Sequence, residues 1–301
     1  MAICVANGRM EIKMKFAVIG GDMRQAKLAE LLIKDGHEVS AYAVDKLKIA
    51  RATRHEKLSE AVKDAECVIL PLPATSSIGV VNTPFSGATL TLRQVFSVIS
   101  QGQTVCAGRV TEDMRELAEE AGAPLYDYFK REELIISNAA STAEGAVQII
   151  MEETPYTLAG AKCLVIGFGR IGKLLAHKLK ALGADVAVSA RKHADIAWIK
   201  AYGYGAENTE RLGGRLAGFN VIVNTVPARI LNEELLRQVP ADCLCLDLAS
   251  KPGGMDFRAA SELGLHAIWA LSLPGEVAPV TAGRSIRDTI YNILREKEVE
   301  V

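Results

Sequence analysis

Six consecutive residues carry the clearest chemistry in this chain: Gly167-Phe168-Gly169-Arg170-Ile171-Gly172. Three glycines at that spacing mean little by themselves. Here they close an apolar run, KCLVIG over residues 162–167, and open an apolar-periodic stretch over 171–182 that Gly183 ends. A second apolar run follows at 185–189. Strand, turn, helix and second strand in this order are the setting of a dinucleotide-binding turn. Each glycine then has its own task. Gly167 permits the tight turn, Gly169 lets backbone approach a pyrophosphate, and Gly172 lets the helix pack closely on the strand. The helix start at Arg170 and Ile171 offers N–H groups and the positive end of the helix dipole to phosphates.

The end of the next strand speaks to which nicotinamide is bound. NAD sites usually place an acidic residue there to hold the ribose 2′-hydroxyl. This chain reads Ser189-Ala190-Arg191-Lys192 instead. One hydroxyl and two cations suit a 2′-phosphate, so NADP is expected, with NAD as the alternative. Loops at the carboxyl ends of later strands should border the ribose and nicotinamide. They are Asn224-Thr225-Val226-Pro227, the run 247–254 that starts at Asp247 and Leu248 and includes Lys251, and residues 273–283.

No dedicated acid or base stands out. His37, His55, His177, His193 and His266 all sit where structural or solvated roles explain them, which disfavours simple alcohol oxidation. The first half offers a different set. Thr75, Ser76 and Ser77 bring hydroxyls to the end of a strand, and Arg109 follows the next one. Asn138, Ser141 and Thr142 are read as the start of a connecting helix. Together they suit a small carboxylate substrate. Gly20-Gly21-Asp22 heads the first half but lacks the third glycine, and Asp22 would repel a phosphate, so no second dinucleotide site is expected there.

The elements that must position these residues form one pattern read twice. Short apolar runs at 15–20, 38–43, 67–72, 104–107 and 124–128 alternate with helical spacing, for example at 112–121. The pattern restarts at 162 and continues through runs at 185–189, 220–225, 243–248 and 266–270. Nearly all-apolar strands alternating with helices indicate parallel sheets covered on both faces. The expected fold is therefore α/β, with two doubly wound, Rossmann-like domains and an interdomain cleft. The expected division is an N-terminal extension at 1–14, a substrate or partner domain at 15–140, a connecting helix at 141–154 and the dinucleotide domain at 155–301. Ser141 with Glu144 fits a capping box for that connecting helix. The last helix, 284–297, is free to cross back to the first domain.

Composition limits the rest. Hydrophobic residues make up 49%, charged residues 24%, and net charge is -1. Nothing supplies the basic excess needed for a nucleic-acid backbone or an anionic membrane surface. No apolar run reaches the roughly 18 residues of a membrane span. The six cysteines lack zinc-like spacing and read as reduced core thiols, so no metal site is expected. Residues 1–14 read either as a tail or as an upstream start ahead of Met14.

Several stretches resemble the A subunit of dipicolinate synthase. They are Gly20-Gly21-Asp22 with Arg24-Gln25, Asn138-Ala139-Ala140 followed by Thr142-Ala143-Glu144-Gly145-Ala146, and Glu152-Glu153-Thr154-Pro155. The glycine turn, the 247–254 loop, and Leu273-Pro274-Gly275 with Ala278-Pro279 and Thr281-Ala282-Gly283 extend it over nearly all of 15–294. The resemblance implies oxidation of dihydrodipicolinate to dipicolinate with NAD(P)⁺ during endospore formation, in the mother-cell cytoplasm. It also implies a partner, the flavoprotein-like B subunit of dipicolinate synthase. A substrate with two ring carboxylates makes Arg24, Arg109 and Lys251 candidates to bind them. Two other readings stay open: a 2-hydroxyacid or amino-acid dehydrogenase of similar build, and a non-catalytic NADP-binding regulatory subunit. A homo-oligomer also stays open.

Overall fold

The computed structural model of the chain describes residues 3–6, 9–87 and 89–297. The chain divides into two compact units, Met1–Ser137 together with Ala278–Val301, and Asn138–Val277. In the first, β1 (Lys15–Ile19), β2 (Glu38–Tyr42), β3 (Thr53–Arg54), β4 (Cys67–Ile69), β5 (Thr104–Ala107) and β6 (Leu125–Asp127) form one sheet. The spatial order is β3-β2-β1-β4-β5-β6 and every pairing is parallel. In the second, β7 (Lys162–Ile166), β8 (Asp185–Ala190), β9 (Gly205–Asn208), β10 (Val221–Asn224), β11 (Leu244–Asp247) and β12 (His266–Trp269) repeat that order as β9-β8-β7-β10-β11-β12. Both units are thus doubly wound sheets with the 3-2-1-4-5-6 order of Rossmann folds.

The all-apolar strands follow from burial on both faces. Successive side chains along a strand point to opposite sides. In β1, Phe16 and Val18 join one core layer while Ala17 and Ile19 join the other. In β7, Cys163 and Val165 face one layer while Leu164 and Ile166 face the opposite one. Two edge strands fall outside the apolar runs of the sequence. β3 is only two exposed residues long, and β9 opens on Gly205, so neither carries an apolar signature.

Helix α1 (Met23–Lys34) follows β1. Helix α2 runs from Glu132 to Glu153, 22 residues, which corrects the expected start at Ser141. Ser141 is 4% exposed and lies inside the helix, so it caps nothing. Thr142 Oγ1 donates to the Asn138 carbonyl at 2.8 Å, the intrahelical back-bond of a mid-helix threonine. Glu132 and Glu133 supply the acidic first turn. The helix has the length to cross a bilayer. However, Leu134 belongs to the first unit's core, and Ala143, Ala146 and Ile150 to the second's.

Helix α3 (Arg170–Ala181) follows the glycine turn and α4 (His193–Ala201) follows β8. The last helix, α5 (Pro279–Glu296), belongs to the first unit. It lies so close to α1 that a Cβ on Gly283 would stand 2.8 Å from both the Arg24 carbonyl and the Leu28 nitrogen. Ile286, Ile290, Ile293 and Leu294 complete the first core. At the start of the chain, Ile3–Ala6 pairs antiparallel with Arg9–Ile12. Positions 1, 2, 7 and 8 of the expected N-terminal extension lie outside the described residues.

Candidate functional site

The second unit's chain reverses direction around its sheet between β7 and β10, the switch point where open α/β sheets bind ligands at the strands' carboxyl ends. The glycine turn and Thr225 stand on either side of it. Gly167 takes φ 102°, a conformation that L side chains rarely adopt, and a Cβ there would meet Thr225 Oγ1 at 2.5 Å and Val226 Cγ2 at 2.8 Å. Gly172 is closer still: its Cβ would sit 2.0 Å from the Gly167 carbonyl oxygen. Gly169 is the opposite case. Its backbone is extended, it precedes α3 as the N-cap, and nothing lies within 4 Å of where its Cβ would be. No side chain caps α3. An open, uncapped helix start at a glycine fits a pyrophosphate.

Thr225 ties the two sides together. Its backbone N–H and its Oγ1 both donate to the Ile166 carbonyl, each at 2.9 Å. Val226 is half-buried beside it and Pro227 is exposed. Phe168 packs into the core at 8% exposure with Lys173 over its ring at 5.1 Å.

Four residues expected to touch the cofactor do other work. Ser189 is fully buried and its hydroxyl accepts from Thr209 Oγ1 at 3.0 Å, so it cannot meet a 2′-phosphate. Arg191 and Lys192, which follow it, are exposed. Asp247 is also fully buried. Its oxygens accept from the Ala249 and Gly254 amides at 3.0 and 2.7 Å and from Asn224 Nδ2 at 2.7 Å. Asn224 in turn donates to the Val226 carbonyl and accepts from the Val226 amide, at 3.0 and 3.2 Å. This buried pair knots the loop after β10 to the loop after β11. Gly254 is required at the knot, since its Cβ would lie 2.1 Å from Asn224 Nδ2. Leu248 is 6% exposed and packs in the core. Lys251 is exposed on the same loop. Asn224, expected to border the ribose and nicotinamide, is fully buried and turned onto Asp247 instead; a lone polar residue closing the apolar run at 221–224 is the sequence signal of that inward turn.

The first unit's turn is closed to phosphate. Asp22 occupies the helix-cap position that Gly169 holds in the second unit. Its Oδ1 accepts from the Arg24 amide at 2.9 Å, and its carboxylate also binds the Arg24 guanidinium at 2.7 Å. Arg24 is 7% exposed and gives a further bond to the Leu72 carbonyl, which removes it from the candidate carboxylate binders. Gln25 stands where Gly172 stands in the second turn, crowding Gly21: a Cβ on Gly21 would lie 2.0 Å from Gln25 Cγ.

Thr75–Ser77 forms a short antiparallel ribbon with Val80–Val81 instead of an open loop. Ser76 lines a cavity of about 350 Å³ together with Asn82, Thr83, Pro84 and Ser86. Arg109 is exposed at the end of β5. Asn138 and Thr142 are mid-helix and so lose the helix-start role expected of them.

The histidines take structural or surface roles. His37 accepts from the Met14 amide at 3.2 Å and packs edge-on against Phe16 and Tyr291. His266 pairs with Glu153 at 3.1 Å, His55 bonds Ser40, and His177 and His193 are exposed. The described thiols are buried: burial pushes Cys163 up to about 12, and the Cys106 sulfur together with burial holds Cys67 well above the ordinary range. No cluster of three or more metal-ligating side chains occurs among the described residues.

Two Rossmann-order units, one with an open glycine turn, define a dehydrogenase-type protein that uses a nicotinamide dinucleotide. Residues 135–245 match the family profile described as the NAD-binding domain of D-isomer specific 2-hydroxyacid dehydrogenases. Residues 15–129 match the profile of the N-terminal domain of the dipicolinate synthase A subunit. The chain is 33% identical over 290 residues to the dipicolinate synthase A subunit of Bacillus subtilis (strain 168), covering 95% of this chain and 98% of that protein. The crystal structure of the Bacillus halodurans A subunit superposes with a TM-score of 0.84 at 30% identity, covering 94% of this chain and 99% of that one. The crystal structure of the Bacillus subtilis protein gives 0.84 at 32% identity, covering 97% and 99%. The chain belongs to the family of dipicolinate synthase A subunits. A transhydrogenase from Sinorhizobium meliloti, with a TM-score of 0.69 at 16% identity, covering 94% of each chain, shares the fold.

Proposed function

We propose that the chain oxidises dihydrodipicolinate to dipicolinate, pyridine-2,6-dicarboxylate, as the nicotinamide-dependent subunit of a dipicolinate synthase. The observation that carries this reading is the match to the Bacillus subtilis protein along nearly the whole chain, both units included. The cofactor's phosphates would lie on the α3 start at Gly169, Arg170 and Ile171, with Gly167 and Gly172 shaping the turn. Thr225, Val226 and Pro227 would border its ribose and nicotinamide. When bound, the cofactor supplies a hydride acceptor. The substrate loses one hydride and one proton, and the ring becomes aromatic. Aromatisation provides much of the driving force, so the chain's task is orientation more than strong base catalysis, which suits a site without an available histidine.

NADP is the proposed form. Arg191 and Lys192 follow β8 exposed, and no carboxylate stands there to oppose a 2′-phosphate. The proposal is completed by a flavoprotein-like partner, by a cytoplasmic site in the mother cell and by a role in endospore formation. The decisive assay is dihydrodipicolinate-dependent reduction of NADP⁺ and NAD⁺, with and without the partner. Turnover with NADP⁺ preferred supports the reading. No turnover with either cofactor, with or without the partner, removes the reaction and leaves a dinucleotide-binding protein.

A further inference from the structure

We propose that Arg109 is the carboxylate-gripping residue of the first unit, and that Asp127 and Phe129 hold it in position. The identity of the ligand as a small dicarboxylate rests on the proposed function; the residue assignment rests on the geometry below.

Arg109 follows β5 and Gly108 at the carboxyl edge of the first sheet, the edge at which open α/β sheets receive ligands. Its φ is 63°, in the left-handed region that favours glycine. The surrounding residues enforce this. Asp127 Oδ1 accepts from the Arg109 amide at 3.1 Å and Oδ2 from the Val110 amide at 3.0 Å, while Phe129 N–H donates to Oδ1 at 2.9 Å. Gly108 leaves no slack on the other side: a Cβ there would stand 2.7 Å from Leu72 Cδ1 and 2.9 Å from the Tyr128 ring. The strained backbone is pinned from both directions.

The side chain is equally placed. Its guanidinium lies over the Phe129 ring, 5.9 Å from the centroid. Contact over a ring face leaves the in-plane N–H donors of the fork unspent. Among the described residues no carboxylate pairs with Arg109. Asp127, bonded to the Arg109 amide, spends its oxygens on backbone amides. Arg24 and Arg131 differ, the first neutralised by Asp22 and the second by Glu133 and Glu296. A planar, five-donor fork on an exposed side chain matches the two oxygens of a carboxylate.

The full-length protein tests this with Arg109→Gly and Arg109→Lys. Thermal melts, calorimetric titration of pyridine-2,6-dicarboxylate and pyridine-2-carboxylate, and steady-state kinetics with the flavoprotein-like partner are the readouts. Arg109→Gly should melt at or above the wild-type temperature, because it releases strain. Its affinity for the dicarboxylate should fall about 10- to 100-fold, and the preference for two carboxylates over one should collapse. In kinetics KM should carry the loss, with kcat changing less, and Arg109→Lys should recover part of it. Asp127→Ala should weaken dicarboxylate binding in the wild-type background and change nothing further in the Arg109→Gly background, as a positioning residue must. Arg109→Gly binding within twofold of wild type, with an unchanged KM, overturns the assignment and leaves the proposed reaction standing. Arginine-dependent dicarboxylate binding without dihydrodipicolinate turnover removes the reaction and keeps the anchor. No dicarboxylate binding by wild type in any assay overturns both.

Discussion

Each glycine of the turn between β7 and α3 is required for a different reason, and substitution separates them. At Gly172 a methyl group would be driven into the Gly167 carbonyl, 2.0 Å away. Backbone cannot swing aside as a flexible side chain can, so Gly172→Ala should cost about 2 kcal/mol or more in chemical denaturation. At Gly169 the space is empty and φ is −81°, so alanine is accommodated. Gly169→Ala should fold within about 0.5 kcal/mol of wild type, or slightly above it, because alanine lowers the entropy of the unfolded chain. Its dinucleotide affinity should nonetheless fall about tenfold or more, since the methyl occupies the space left for phosphate. Fluorescence titration with NADPH checks this; unchanged affinity would place the phosphates elsewhere. The cations after β8 are tested in the same way. Arg191→Ala should lower the NADP-over-NAD preference about tenfold, whereas Ser189→Ala should leave it unchanged, because that hydroxyl is spent on Thr209. A preference that follows Ser189 and not Arg191 would reverse the assignment.

At the scale of elements, the buried Asn224–Asp247 pair fixes two loops at once. Both side chains are fully buried, and together they satisfy three backbone amides and one carbonyl. Asp247→Asn puts an amide N–H₂ where only acceptors fit, so one donor from Asn224, Ala249 or Gly254 loses its partner. The expected cost is about 1–3 kcal/mol, accompanied by a raised KM for cofactor, because the Thr225 to Pro227 segment loses its anchor. Wild-type stability for Asp247→Asn would mean that the knot can rearrange. The same pair shows what a sequence makes legible. The alternation of apolar runs and helical stretches exposes both sheets, and the glycine spacing marks the turn. Direction at a strand's end does not show: Ser189 is the last residue but one of β8 and Asp247 closes β11, and whether such a residue points into the core or over the edge depends on the neighbouring loop. Helix α2 misleads for a related reason. Asn138, Ser141 and Thr142 have side chains that compete for backbone hydrogen bonds and so look like a boundary. The tertiary cores that receive Leu134, Ala143 and Ile150 carry the helix straight through them.

At the scale of the whole chain, the first unit is closed by residues that come last. Helix α5 contributes Ile286, Ile290, Ile293 and Leu294 to a core built otherwise from residues before position 138. Burial of each such side chain is worth about 1.5–3 kcal/mol, and their sum is comparable with the roughly 5–15 kcal/mol stability of an entire domain. Arg131 fastens the end of α5 with two bonds to Glu296, each at 2.6 Å. Those bonds hold the Glu296 carboxyl below its ordinary 4.5; Glu133, bonded to its own backbone amide and to Arg131, is held below it too. A carboxyl held low in the folded state stabilises at pH values above its unfolded pKa, and that contribution disappears as the pH falls through the folded value. Arg131→Ala should therefore melt below wild type at pH 7, and the gap should close by about pH 3. A gap that persists there would assign Arg131 a packing role instead. Deletion from Pro279 onward goes further. It should unfold the first unit while the Asn138–Val277 unit keeps its cooperative melt and its NADPH binding, since none of that unit's core comes from α5. Proteolysis should then leave a resistant fragment near residues 138–277. Two intact units after the deletion would show that the first core tolerates the loss of α5, and would return that helix to the status of a surface addition.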